Sequence, residues 1–146
     1  MNRTKKYLGL VLRKKILKEK DILVYFFTRQ KGKIPVLAKG ASKITSRRLS
    51  HIDTGNLLFI QVSENRNFMY LKDTQLISGF SVLKNNLEKA ERFFLVLKLL
   101  DKNLADFQKE QDIFDLCLRV LKQLAENESV DLKKFERKLL EILGLA

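Results

Sequence analysis

The sequence predicts an α+β protein, an N-terminal barrel of five short strands followed by a small α-helical domain. Apolar residues recur mainly with period two through the first 80 positions and with period 3.6 afterwards, the switch falling in FSVLKNN, Phe80 to Asn86. The run DILVYFFT, Asp21 to Thr28, is apolar on both faces, so a barrel strand here needs a second layer outside the sheet, which helices can provide. Residues 1–80 are therefore expected to form the barrel and 81–146 the helical domain, within one folding unit of 146 residues.

The elements follow in order. Leu8, Leu10 and Leu12 alternate as a first strand, although Leu8, Val11, Leu12 and Ile16 would also fit a helical face. Residues 21–28 make the second. In the third, Ile34, Val36 and Ala38 alternate with Lys33, Leu37 and Lys39 between Gly32 and Gly40; Pro35 removes a ladder donor and belongs at an edge or bulge. Leu58, Ile60 and Val62 mark the fourth strand, and FMYLKD from Phe68 the fifth, after an ENRN turn. A small closed or nearly closed barrel is expected, since closure removes edges that would otherwise invite aggregation. Asn85 with Glu88 reads as a capping box for a helix through Leu87, Ala90, Phe94 and Leu97, its apolar face widened by Phe93, Val96 and Leu100. Ile113, Leu116, Cys117, Val120, Leu121 and Leu124 form the cleanest helical stripe. A last helix after Ser129 aligns Leu132, Phe135, Leu139 and Leu143, with Gly144 as its stop.

The formal net charge of +12 is unevenly placed: residues 1–50 hold 15 bases against 2 acids, 51–80 hold 2 against 3, and 81–146 hold 12 of each. A polarised excess of that size points to a polyanion. Its centre is GKIPVLAKGASKITSRRLS, residues 32–50. There Lys33 and Lys39, with Lys31 just before, should face away from Ile34, Val36 and Ala38 as a cationic stripe that Lys43, Arg47 and Arg48 extend. Tyr7, Tyr25, Phe27, Phe68 and Tyr70 lie on strands near these bases. A barrel that binds single strands combines a cationic groove with aromatic platforms, and Tyr25 and Tyr70 suit that role best because a phenol tolerates water. The acids Asp101, Asp106, Glu110, Asp112 and Asp115 read as solvated faces and caps.

No phosphate-binding glycine loop, nucleophile elbow or metal spacing is present, so neither an enzyme nor a cofactor is expected. Cys117 inside an apolar stripe reads as a buried small hydrophobe and His51 as an exposed loop residue beside the basic segment. One cysteine excludes an internal disulfide, a reducing cytoplasmic location is the default, and no apolar run is long enough for a signal or a membrane span.

TRQKGKIPVLAKGASK, residues 28–43, following LGLVLRKKILKEKDILVYFF, resembles the N-terminal portion of the RecO family of bacterial DNA repair proteins. The shared places are held by Glu19, Asp21, Phe27, Thr28, Gly32, Lys33, Ala38, Lys39, Gly40 and Ala41. LEKAERFFLVLKLLD and FERKLLEILG look similar to the family's helices. The resemblance implies an OB-fold β-barrel followed by a helical part. It also implies a recombination mediator that binds single- and double-stranded DNA, anneals complementary strands, contacts single-strand-binding protein and RecR, and helps load RecA. Arg29 belongs with the basic residues expected on that DNA-binding surface. Family members commonly run on well beyond this length, and many carry a four-cysteine zinc site there, so either a truncated piece or a naturally shortened member, without that site in both cases, is expected.

Two further readings compete: an interaction module whose basic surface receives acidic tails of DNA-repair partners such as single-strand-binding protein, docked in a groove between barrel and helices, and RNA binding by the same barrel. Membrane association ranks last. For DNA, neutralising about five phosphates on a single strand predicts a logarithmic salt slope near ~ -3.5.

Overall fold

The computed structural model describes residues 3–18, 21–40 and 46–145, with backbone alone at 46 and 47. The strands are β1 (Arg3–Ile16), β2 (Ile22–Thr28), β3 (Gly32–Ala38), β4 (Leu57–Glu64) and β5 (Met69–Ser78), closed in the order β1-β2-β3-β5-β4. Closure depends on the length of β1. Its first half pairs with β4 from Arg3 to Leu10 and its second half with β2 from Gly9 to Ile16, so one strand serves two neighbours. Gly9 lies where the two ladders overlap, and a Cβ there would stand 3.3 Å from Thr28 Cγ2. Glycine suits so close an approach at a barrel corner. The register between β1 and β2 shifts between Val11 and Arg13, which bends the strand further. The alternative helical reading of this segment thus gives way to a strand of 14 residues.

Pro35 pairs with Tyr25 of β2, while the seam between β3 and β5 has the parallel pair Leu37–Tyr70. It therefore borders a seam held at a single point, where a missing donor costs little.

Alternation along the strands produces two cores. Val24 and Phe26 of β2, Ile34 and Val36 of β3, and Leu58, Ile60 and Val62 of β4 fill the barrel, joined by Ile52. Ile52 follows α1 (Ser46–His51), a short helix in a segment expected as a loop. Facing outward, Leu10, Leu12, Phe27 and Leu57 join a second core with the helices. Phe26 and Phe27 are both fully buried on opposite faces of β2, which accounts for the doubly apolar run.

The helical layer consists of α2 (Ser81–Lys84), α3 (Leu87–Asn103), α4 (Gln111–Ala125) and α5 (Leu132–Ile142). The cap of α3 is Asn86, whose side chain accepts from the Lys89 amide, rather than Asn85, which ends α2 by donating its amide to the Ser81 carbonyl. Replacing Asn86 by alanine should cost about 1 kcal/mol in urea unfolding and Asn85 distinctly less; equal losses would mean that this cap contributes nothing special. The buried face of α3 is Phe93, Val96, Leu97 and Leu100, with Leu87 and Phe94 exposed, so the helix is rotated from the expected face. Cys117 is buried in α4, and burial pushes its thiol up to about 12. Asp131 caps α5 by accepting from the amides of Lys133 and Lys134, and Gly144 ends it at a φ of 73°.

Candidate nucleic-acid interface

Where the helices stop covering the barrel, the outer faces of β2 and β3 are open. Leu23 and Tyr25 alternate with buried Ile22, Val24 and Phe26, and Pro35 and Leu37 with buried Ile34 and Val36. Cross-strand pairing sets them in two rows, Arg13–Tyr25–Pro35 and Lys15–Leu23–Leu37–Tyr70. The turn between β4 and β5 walls this face and makes a groove of about 460 Å³. Asn65 shapes the turn by accepting from the Asn67 and Phe68 amides. Phe68 is thereby left 58% exposed, with its ring 6.1 Å from that of Tyr70.

Cations rim the apolar floor. Lys31 and Arg66 line the groove. Lys39 Nζ lies 5.1 Å from the Tyr70 ring centre, and the Arg13 guanidinium stacks 3.7 Å over Tyr25. Glu64 also lines the groove, but its carboxylate accepts from the Tyr7 hydroxyl at 2.7 Å. Burial and this acid together push the Tyr7 phenol well above its ordinary range.

The expected basic stripe divides. Tyr25 and Lys31 line the groove, and Tyr70 lies beside it next to Phe68 and Leu37, with Lys39 over its ring. Lys33 does face away from the barrel interior, yet it is buried, because the helical layer covers that part of the sheet. Its ammonium donates to the Asp101 backbone carbonyl at 2.7 Å and lies 2.9 Å from the Asp101 carboxylate. Arg29 forks onto Asp115 at 2.9 and 3.2 Å, and the hydrogen bond holds that carboxyl below its usual range. Arg13 Nε also reaches Asp101, at 2.8 Å. Asp101 and Asp115, expected as solvated acids, instead tie the helices to the barrel. Arg48 lies 3.7 Å from Asp73. Lys43 lies outside the described residues, as do Glu19, Ala41 and the side chain of Arg47.

His51 is not an exposed loop residue: it ends α1, is buried, and its Nδ1 stands 2.9 Å from Thr74 Oγ1. Tyr7 and Phe27 belong to the cores. Sequence reasoning missed Arg66, which lines the groove, and Arg13, which lies beside it over Tyr25; the hint for Arg13 was that it and Tyr25 both occupy outward positions of adjacent strands. Among the described residues, no group of three or more His, Cys, Asp or Glu side chains is placed to hold a metal ion, and no helix is long and apolar enough to cross a membrane.

A closed five-stranded barrel in this order, with a short helix between β3 and β4 and a helical layer packed outside, is an OB-fold barrel protein of the α+β class. Residues 1–80 match the family model described as "Recombination protein O N terminal". The chain belongs to the RecO family of DNA repair and recombination proteins. It is similar to the DNA repair protein RecO of Desulforudis audaxviator, 29% identical over 93% of this chain and 55% of that protein. It is likewise similar to those of Listeria monocytogenes serotype 4b, 27% identical over 94% and 54%, and Caldanaerobacter subterraneus, 25% identical over 93% and 56%. The chain thus spans about half the length of these relatives.

Proposed function

We propose that the β2–β3 groove binds DNA without sequence preference and that the protein acts as a recombination and repair mediator, by binding rather than catalysis. The observation that carries this reading is one open face where Tyr25, Phe68 and Tyr70 stand among Arg13, Lys31, Lys39 and Arg66. OB barrels use their second and third strands and the loop between the fourth and fifth to hold oligonucleotides. Cations neutralise the backbone, while rings accept bases that have left the stack. With both strand types bound, the +12 charge would screen the repulsion between complementary strands and so favour annealing. Contacts with single-strand-binding protein and RecR, and help in loading RecA, belong to the same proposal through the family. The seam between barrel and helices is filled by Leu10, Leu12, Phe27 and their helical partners, which leaves the groove as the better candidate for any docked ligand.

The test is fluorescence anisotropy of labelled single and duplex DNA across several salt concentrations. If Lys31, Lys39 and Arg66 neutralise about three phosphates, the single-strand slope should be near ~ -2.1, and Lys39→Ala or Arg66→Ala should each reduce it by about 0.7. Arg29→Ala should leave it unchanged. A flat salt dependence, or equal effects of Lys39 and Arg29, would overturn the reading. A matched RNA strand bound more tightly would redirect it to RNA.

A further inference from the structure

We infer that Arg13 supplies the base-stacking surface at its end of the groove, so that this end selects a single strand with an unstacked base over a duplex. The inference rests on the DNA-binding reading and names the form of DNA the groove recognises. Three features support it. The guanidinium lies 3.7 Å over the Tyr25 ring, so that face of Tyr25 is already covered and a base cannot stack there without displacing the arginine. Asp101 accepts from Arg13 Nε at 2.8 Å, which fixes the plane by its edge. The Arg13 side chain is nevertheless 46% exposed, so a ligand can reach it. A planar cation held between a ring and a carboxylate is pre-organised: a base stacking on it orders no further side chain. Guanidinium planes receive splayed bases much as aromatic rings do. Bases in a duplex are already stacked on one another and have no free face to offer.

Asp101 is then a positioning residue supplied by the helical layer, orienting a group of the barrel. Lysine at position 13 would keep the positive charge but lose the plane. A phosphate contact would survive that change, and a stacking contact would not.

The experiment compares wild type and Arg13→Lys on oligothymidine, on a strand of equal length built of abasic deoxyribose phosphates, and on duplex DNA. Thermal midpoints check folding. The expected result is oligothymidine affinity lowered about tenfold, within the range of one stacked base, with the salt slope and the abasic and duplex affinities nearly unchanged. Tyr25→Leu, which keeps Arg13 but removes the ring beneath it, should give a smaller loss of the same selective kind and serves if Arg13→Lys folds poorly. Unchanged oligothymidine affinity, or equal losses on abasic and thymidine strands, would overturn the inference while leaving DNA binding in place. Failure of the wild type to bind any strand would overturn the DNA reading and this inference with it.

Discussion

Changing Asp101 to alanine should destabilise the protein by about 3 kcal/mol, the low end of what removing one partner from a buried ion pair costs. Lys33 is the reason. Its side chain is only 9% exposed, and the Asp101 carboxylate 2.9 Å away balances its charge. Alanine would leave the ammonium its hydrogen bond to the backbone carbonyl of residue 101 but no balancing charge, and would release Arg13 as well. Guanidinium chloride unfolding measures the loss. The double change Lys33→Met with Asp101→Asn should recover much of it, because no buried charge is then left unbalanced. A loss below about 1 kcal/mol for Asp101→Ala would mean that water reaches Lys33 and that the pair behaves as an exposed one.

Gly32→Ala should be comparably severe for a different reason. The residue sits at a φ of 79°, where a side chain is strained, and its added Cβ would fall 2.0 Å from the Gln108 carbonyl oxygen. That oxygen is backbone and has no rotamer to yield. It belongs to the connection between α3 and α4, docked on the barrel where the Phe107 amide donates to the Lys33 carbonyl at 2.7 Å. The methyl must push this connection off the β2–β3 hairpin. Strain at the dihedral contributes roughly 1 to 3 kcal/mol, and the lost docking adds to it, so about 3 kcal/mol or more is expected. The loss should be insensitive to salt, unlike that of a charge variant. Hydrogen exchange at the Phe107 amide should accelerate well beyond the change at Leu100 inside α3. Protection retained at Phe107 would show that the connection accommodates the methyl.

Both substitutions act at the junction of barrel and helices, and that junction separates what was legible from what was not. Period-two alternation at Ile34, Val36 and Ala38 identified the inward face of β3 because side-chain direction in a strand is a local property. The same rule placed Lys33 correctly on the outward face. It could not say that the outward face is wet at Lys39 and covered at Lys33. Likewise the outward positions of Tyr25 and Tyr70 were readable, whereas the stacking of Arg13 on Tyr25 depends on the bulge that sets the register between β1 and β2. Asn85 and Asn86 are equally good caps in isolation; the short α2, which uses Asn85 as its own end, left Asn86 to begin α3. His51 was expected exposed because it follows the basic loop, and it is buried because α1 returns it to Thr74 of β5.

By itself the sequence determined the α+β class, a barrel of strands followed by helices, the cores on both faces of β2, and the concentration of charge in the first third. Each of these rests on periodicity or composition, which neighbouring residues carry among themselves. Only the tertiary structure decided which of those charges remain available to a ligand. Arg13 and Lys33 find Asp101 at separations of 88 and 68 residues, and Arg29 finds Asp115 at 86. Partners so distant along the chain are chosen by how the helical layer lands on the barrel. A lysine covered by that layer becomes part of the fold, and one beyond its edge stays in the groove.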